Sequence, residues 1–263
     1  MKKKTVVITG GSSGIGAATA ELLAEKGWQV FELSRSGVDR ENIRHIHCDL
    51  TKSEDITAAF QQIAKAMPQL DLLINNAGMG VSGATELLEE DQVRRLMNID
   101  VLAPWLCCKA ALPLLRPAKG RIINISSVAA VYAIPYQSFY TAAKAAINGL
   151  TQALSLELAP FGVSVTALMP GDVKTGFTAA RIKNNEGKDI YGESIAASLA
   201  VMEHDEEMGM EPRKLAEKVL QLAEKRKVKP FYSCGFKYQL FLFLGKLLPC
   251  SLVTKILGMM YCK

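Results

Sequence analysis

Tyr140 and Lys144 stand four residues apart, a spacing that puts both on one face of a helix and within reach of each other. A free phenol ionises near pH ~10, so tyrosine alone is a poor base at neutral pH. A neighbouring ammonium favours the phenolate. The pair therefore suits proton exchange with an oxygen, given to a carbonyl or taken from an alcohol. Far upstream, Thr9-Gly10-Gly11-Ser12-Ser13-Gly14-Ile15-Gly16 suits a different task. Glycines let the backbone approach a pyrophosphate, and a helix opening after them offers free N–H groups and the positive end of its dipole. The spacing is Gly-x-x-x-Gly-x-Gly, not the usual G-x-G-x-x-G. Taken singly, each pattern has a plainer reading, as a surface helix pair or a tight turn. No metal site is indicated. His45, His47 and His204 are scattered, and the six cysteines include no CxxC pair. Such thiols fit a reduced, cytoplasmic protein.

These residues need elements to position them. Val6–Thr9, Gln29–Ser34, Arg44–Cys48, Leu70–Ile74, Arg121–Ile125 and Ser164–Met169 read as strands. Between them lie helical patterns: Ile15–Lys26 stopped by Gly27, a helix capped by Ser53 and running to Met67, Asn98–Leu115 bent near Pro104, and Ser138–Leu158. Strands alternating with helices predict βαβ units and a parallel sheet with right-handed crossovers. The expected fold is α/β: one doubly wound Rossmann-type domain over residues 1–263, with ligands at the carboxyl ends of the strands. Hydrophobic residues make up 49% and charged residues 22%, enough for a full core. The net charge of +5 is mild, and Lys2, Lys3 and Lys4 form the only N-terminal basic run. Nucleic-acid binding is therefore not expected. No apolar stretch reaches the ~18 residues of a membrane-spanning helix.

The separated motifs resemble the short-chain dehydrogenase/reductase family over residues 5–230, on its hydroxysteroid and retinol dehydrogenase-like side. The resemblance implies a catalytic set of Asn98, Ser127, Tyr140 and Lys144. Ser127 lies thirteen residues before Tyr140, the family's usual separation, and is preferred over Ser126, which reads as a structural turn residue. The resemblance also implies a nicotinamide dinucleotide held by Gly10, Ser12, Ser13, Gly14, Ile15 and Gly16 of the loop. Asp49 and Leu50 would meet the adenine. Asn76, Ala77 and Gly78 follow the fourth strand. Tyr140 and Lys144 join them, and Pro170, Gly171, Val173 and Thr175 would close over the nicotinamide. Ser34 holds the place where NAD users carry an aspartate, and Arg35 follows it. A guanidinium fork suits a 2′-phosphate, with Ser34 and Ser36 adding hydrogen bonds. NADP(H) is thus expected over NAD(H).

Residues 172–210 are polar and long for a loop, which predicts a substrate lid. Phe177, Ile182, Ile190, Tyr191, Ile195, Leu199 and Met202, with Val128, Val131, Tyr132 and Tyr136, could form an apolar pocket or fix the lid to the core. Residues 231–263 form a helical extension: Phe236–Leu248, a break at Pro249, then Ser251–Tyr261. Lys246 and Lys255 should stay wet while Phe241, Leu244, Leu248, Leu252, Ile256 and Leu257 bury. The tail could cover the substrate entrance, make a dimer contact or touch a membrane surface, so membrane association stays open. The expected activity is NADP(H)-linked interconversion of a ketone and a secondary alcohol on a steroid-like or lipid-like substrate. Two alternatives stand beside it. One is a 3-oxoacyl thioester reductase, with Lys174, Arg181 and Lys183 meeting an acidic carrier. The other is a non-catalytic NADP(H) sensor, against which the intact Tyr140 and Lys144 count. A homodimer or homotetramer is expected through the helices Asn98–Leu115 and Ser138–Leu158, where Ala145, Ala146, Gly149, Ala153 and Leu154 allow close contact.

Overall fold

The computed structural model of the chain describes residues 3–261, the side chain of Lys246 aside. Lys2, Cys262 and the expectation that Lys246 stays wet lie outside what is described. The first half runs β1 (Thr5–Thr9), α1 (Gly14–Glu25), β2 (Gln29–Ser34), β3 (Ile43–His47), α2 (Ser53–Ala66), β4 (Leu72–Asn75), β5 (Val81–Ser82) and α3 (Glu90–Met97). A π-wound turn over Asn98–Leu102 leads into α4 (Ala103–Ala118), then β6 (Arg121–Ile125), α5 (Ser138–Glu157) and β7 (Ser164–Met169). The remainder comprises α6 (Phe177–Ala180), β8 (Ile182–Lys183), α7 (Lys188–Tyr191), α8 (Ser194–Glu207), α9 (Pro212–Glu224), β9 (Phe231–Ser233), α10 (Phe236–Leu247) and α11 (Cys250–Tyr261).

Seven parallel strands form one sheet in the order β3-β2-β1-β4-β6-β7-β9. Strand alternation splits its apolar side chains between two faces. Val6 and Ile8 meet Leu23 of α1 and Leu215 and Val219 of α9, while Val7 meets Phe60 of α2 and Cys107 and Leu115 of α4. Burying each large side chain contributes about 1.5–3 kcal/mol. The order reverses between β1 and β4, so their carboxyl ends open a crevice at the switch point.

Four features differ from expectation. A seventh strand, β9, pairs with β7; its three residues are only half-buried and give no strong apolar run. Ser53 opens α2 as its first residue and caps nothing, because its hydroxyl turns to Glu54. The helix around Asn98 begins earlier, at Glu90, and runs on to Ala118. Its length and composition would also suit a bilayer span; here the apolar side is core, with Cys107, Ala111 and Leu115 buried. The distortion ascribed to Pro104 sits just before it. Proline has no N–H to return to the preceding turn and crowds its carbonyl. The winding widens there, and the Ala103 N–H reaches back five residues to the Asn98 carbonyl.

Candidate active site

At the switch point, the loop after β1 is clamped to the end of β4. Thr9 Oγ1 accepts from the backbone N–H groups of Asn76 (3.0 Å) and Ala77 (3.1 Å). Asn76 Nδ2 donates back to the carbonyls of Thr9 (3.0 Å) and Gly10 (3.1 Å). A side chain at Gly16 would meet the Gly10 carbonyl at 2.1 Å, so α1 starts hard against the loop only because that residue is glycine. Ser13 caps α1 without a side-chain bond, leaving the first-turn N–H groups directed outward. Ser12 and Ser13 are exposed there, and Gly14 and Ile15 half-buried. This is an anion cradle. Across it, Thr175 packs beside Gly14, and Leu50 and Ala77 line one crevice with Thr9. Asp49 is half-buried, and its carboxylate accepts from the N–H and hydroxyl of Thr51, which hold it below the ordinary carboxylate range.

The end of β2 carries a residue whose role the sequence hid. Glu32 is buried; its Oε1 accepts from the Gly11 N–H (2.9 Å), and its Oε2 accepts from Ser34 Oγ (3.1 Å) and faces His45 Nδ1 at 2.7 Å. It ties the glycine loop to β2 and β3. It also commits the Ser34 hydroxyl proton, so Ser34 does not offer the donor expected of it toward a phosphate. Arg35 and Ser36 are exposed, and Arg35 makes no ion pair among the described residues.

The second cluster lies on α5, which a buried polar ladder holds to the sheet. Asn75 Nδ2 donates to Asn124 Oδ1 (2.8 Å), Asn124 Nδ2 to Thr151 Oγ1 (2.8 Å), and Thr151 to the Ile147 carbonyl (2.7 Å). One α5 face then presents Tyr140 and Lys144, with the Lys144 Nζ 5.6 Å from the Tyr140 ring centre. Ser127 lies beside Tyr140, close enough to pull its phenol down, and accepts from the Ala129 N–H. Ser126 is buried and donates to the Lys144 carbonyl (3.3 Å), a structural role.

The π turn delivers Asp100 to this cluster, two residues beyond Asn98. Asp100 is buried, with Oδ2 3.0 Å from Lys144 Nζ and Oδ1 accepting from the Met79 N–H (2.8 Å). A side chain at Gly78 would sit 3.0 Å from Asp100 Oδ2 and 3.3 Å from Lys144 Nζ, so glycine leaves room for the pair. Asn98 contributes its carbonyl to the π winding; none of the contacts to Lys144 is made by its side chain. Burial pushes the Asp100 carboxyl above the ordinary carboxylate range, against the pull of Lys144 and the Met79 N–H. Burial also draws the Lys144 ammonium down, but Asp100 and Tyr140 more than reverse this and leave it above its ordinary value. Tyr140 is raised as well, by burial first and Asp100 next, while Lys144, Ser127 and Arg181 pull it down. The lysine thus acts in the expected direction, yet Asp100 offsets much of its effect. Sequence reasoning missed Asp100 and Glu32; the available signal was an acid inside a buried element.

The lid leaves at Asp172 and returns at Met210, where Met210 N–H bonds the Asp172 carbonyl (3.0 Å) and Lys174 N–H bonds the Met210 carbonyl (3.0 Å). Val173 is buried in the core, and the Pro170 carbonyl accepts from the Val128 N–H (3.0 Å). Ile195, Leu199 and Met202 bury against Ala84, with Tyr136, Tyr191 and Tyr261 alongside. Phe177 packs tilted against Tyr140, ring centres 5.9 Å apart. Arg181 is buried, bonds Glu206 and lies over Phe177. Lys183 pairs with Glu203 at 2.5 Å. Two of the three cations expected to meet an acidic carrier are therefore engaged within the lid.

The tail covers the rim of the site. The Tyr238 ring packs on Gly171, its hydroxyl bonds the Asp172 carboxylate, and the Asp172 N–H donates back to it (3.1 Å). Tyr132 donates to the Phe241 carbonyl (2.6 Å). Against expectation, Phe241, Leu244, Leu248 and Leu252 are exposed; on α10 the face turned to the domain is the one bearing Tyr238, while Leu248 follows that helix and Leu252 lies on α11.

Cradle, clamp and proton-handling cluster fit a nicotinamide dinucleotide: Gly10–Gly16 would hold its pyrophosphate, and Tyr140 and Lys144 would flank its reactive end. The short chain dehydrogenase family pattern matches residues 4–186. A 3-ketodihydrosphingosine reductase of Bacteroides thetaiotaomicron is 41% identical over 235 residues, covering 88% of this chain and 87% of that protein. A short-chain dehydrogenase structure from Streptomyces avermitilis superposes with a TM-score of 0.82 at 27% identity, covering 94% of this chain and 92% of that one. The structure of ElxO with NADP bound gives 0.75 at 26% identity, covering 91% and 100%. The chain belongs to the short-chain dehydrogenase/reductase family, oxidoreductases that act on keto and alcohol groups.

Proposed function

We propose that the protein reduces the ketone of a lipid-like substrate with NADPH, and that a long-chain 3-keto base of the kind its Bacteroides relative is named for is a better candidate than a steroid. The observation carrying this reading is the Tyr140–Lys144–Asp100 cluster, with Ser127 beside it and the apolar Phe177 ring centred 5.9 Å from that of Tyr140. A bound nicotinamide supplies the hydride that goes to the carbonyl carbon. Tyr140 gives its hydroxyl proton to the carbonyl oxygen. Ser127 steadies the charge developing on that oxygen. Lys144, anchored by Asp100, holds a positive charge behind the phenolate that remains. Phe177, its ring centre 5.9 Å from that of Tyr140, favours an apolar substrate over a charged carrier.

The cofactor preference rests on Arg35, exposed beside the end of β2 and without an ion pair among the described residues. Its fork suits a 2′-phosphate, and the relative in the ElxO structure holds NADP. Arg35→Asp should lower kcat/KM for NADPH by about tenfold or more and leave NADH improved or unchanged, a difference of about 1.4 kcal/mol. Equal use of both cofactors by the wild type and the variant would remove Arg35 from this role. The substrate is tested by following NADPH oxidation with 3-ketodihydrosphingosine, a ketosteroid and a 3-oxoacyl thioester. Turnover of the first over the others is expected; turnover of the thioester alone would move the protein to acyl-chain reduction.

A further inference from the structure

Helix α10 shows an apolar stripe to the outside. Phe236, Leu240, Phe243 and Leu247 fall at i, i+4, i+7 and i+11, one stripe along the helix. They are 80%, 44%, 60% and 67% exposed. A surface helix ordinarily buries such a stripe and shows its polar side. Here polar contacts hold the inner side, through Tyr238 to Asp172 and through the Phe241 carbonyl to Tyr132. The outward stripe is therefore not the face that fixes the helix to the domain.

The charge of this end is equally one-sided. Residues 225–263 carry eight Lys or Arg and no Asp or Glu, whereas residues 1–224 carry 23 basic and 26 acidic side chains. Lys237 and Lys255 are exposed on α10 and α11. A wide apolar face set among cations, with no carboxylate between them, is the composition of a helix that lies in a membrane interface. Anionic headgroups attract such a segment, each cation near the surface adding to the attraction.

We infer that the outer face of α10, with the basic end of the chain around it, seats the protein on an anionic lipid surface. Charge selects this occupant: a two-fold contact through α10 would bring two uniformly cationic segments together, while anionic headgroups neutralise them. The opposite face of the same helix is latched at Gly171 and Asp172, so the seated protein holds the rim of its active site toward the bilayer. The inference does not depend on which ketone is reduced.

The test is sedimentation of the full chain with vesicles of phosphatidylcholine alone and of phosphatidylcholine mixed with phosphatidylglycerol. Wild type should bind the mixed vesicles at least about tenfold more than the neutral ones, and lose most binding at high salt. Leu240→Gln/Phe243→Gln/Leu247→Gln should bind the mixed vesicles about tenfold less, with unchanged far-ultraviolet circular dichroism and unchanged NADPH oxidation on a water-soluble ketone. Wild type remaining in the supernatant with mixed vesicles overturns the proposal, whatever the variant does. So does a folded triple variant that binds as wild type does, or one whose only change is a halved mass by light scattering.

Discussion

Asp100 sets how the neighbouring tyrosine and lysine work. Its carboxylate holds Lys144 in place, and it also raises Tyr140, working against the lysine. In Asp100→Asn that negative charge is gone, so Tyr140 reaches the phenolate at lower pH. Alcohol oxidation needs the phenolate, so its rising limb should move to lower pH, read from kcat as a function of pH. A limb that stays put, or moves up, would show that Asp100 acts only on packing. Glu32 is the counterpart at the other cluster, where it fixes the glycine loop rather than the proton path. The pairing of Tyr140 with Lys144 was legible because a spacing of four puts both on one helix face; their chemistry and that of the glycine loop came only from reading the separated motifs together. Asp100 and Glu32 were not, because a buried acid matters only through partners that the fold brings from β3, the glycine loop, the turn after β4 and α5.

The segment 172–210, the proposed lid, has an electrostatic pin. Arg181 is buried, and its partner Glu206 arrives from the far end of α8. Removing one partner of such a pair leaves an uncompensated charge, at a cost of about 3–5 kcal/mol. Glu206→Gln should therefore loosen residues 172–210 locally, seen as faster hydrogen exchange and proteolysis there, with β1–β7 still protected. Uniform loss of protection across the sheet would place the pin in the global core. Hydrophobic patterning places α10 to within a residue of its end, yet the stripe expected to bury lies on the flank of the helix, half turned to solvent. Hydrophobic periodicity identifies a stripe without saying which side the rest of the chain will cover. Tyr238, which decides that, bonds Asp172 across 66 positions.

At the scale of the whole molecule, strand alternation and turn signals were enough for the parallel sheet and its switch point, because both follow from local patterns repeated along the chain. The last strand was not, because β9 is short and half-buried and is defined only by its pairing with β7. The outer side of α5 exposes Ala145, Gly149 and Ala153, while Leu154, expected with them, is buried in the core. A side chain at Gly149 would meet nothing within 4 Å in the single chain. This small-residue face is the proposed subunit contact. Light scattering should give a dimer or tetramer, and Gly149→Arg should lower the mass without unfolding the chain. A monomeric wild type would exclude α5 as an interface.

The central claim is that Tyr140 transfers the proton. Removing its hydroxyl while keeping its ring tests this most directly. Tyr140→Phe should bind NADPH with wild-type affinity by fluorescence titration, and its kcat for ketone reduction should fall by a factor of about 10² or more. NADPH oxidation by this variant within a few fold of wild type would contradict the account and send the proton through another group.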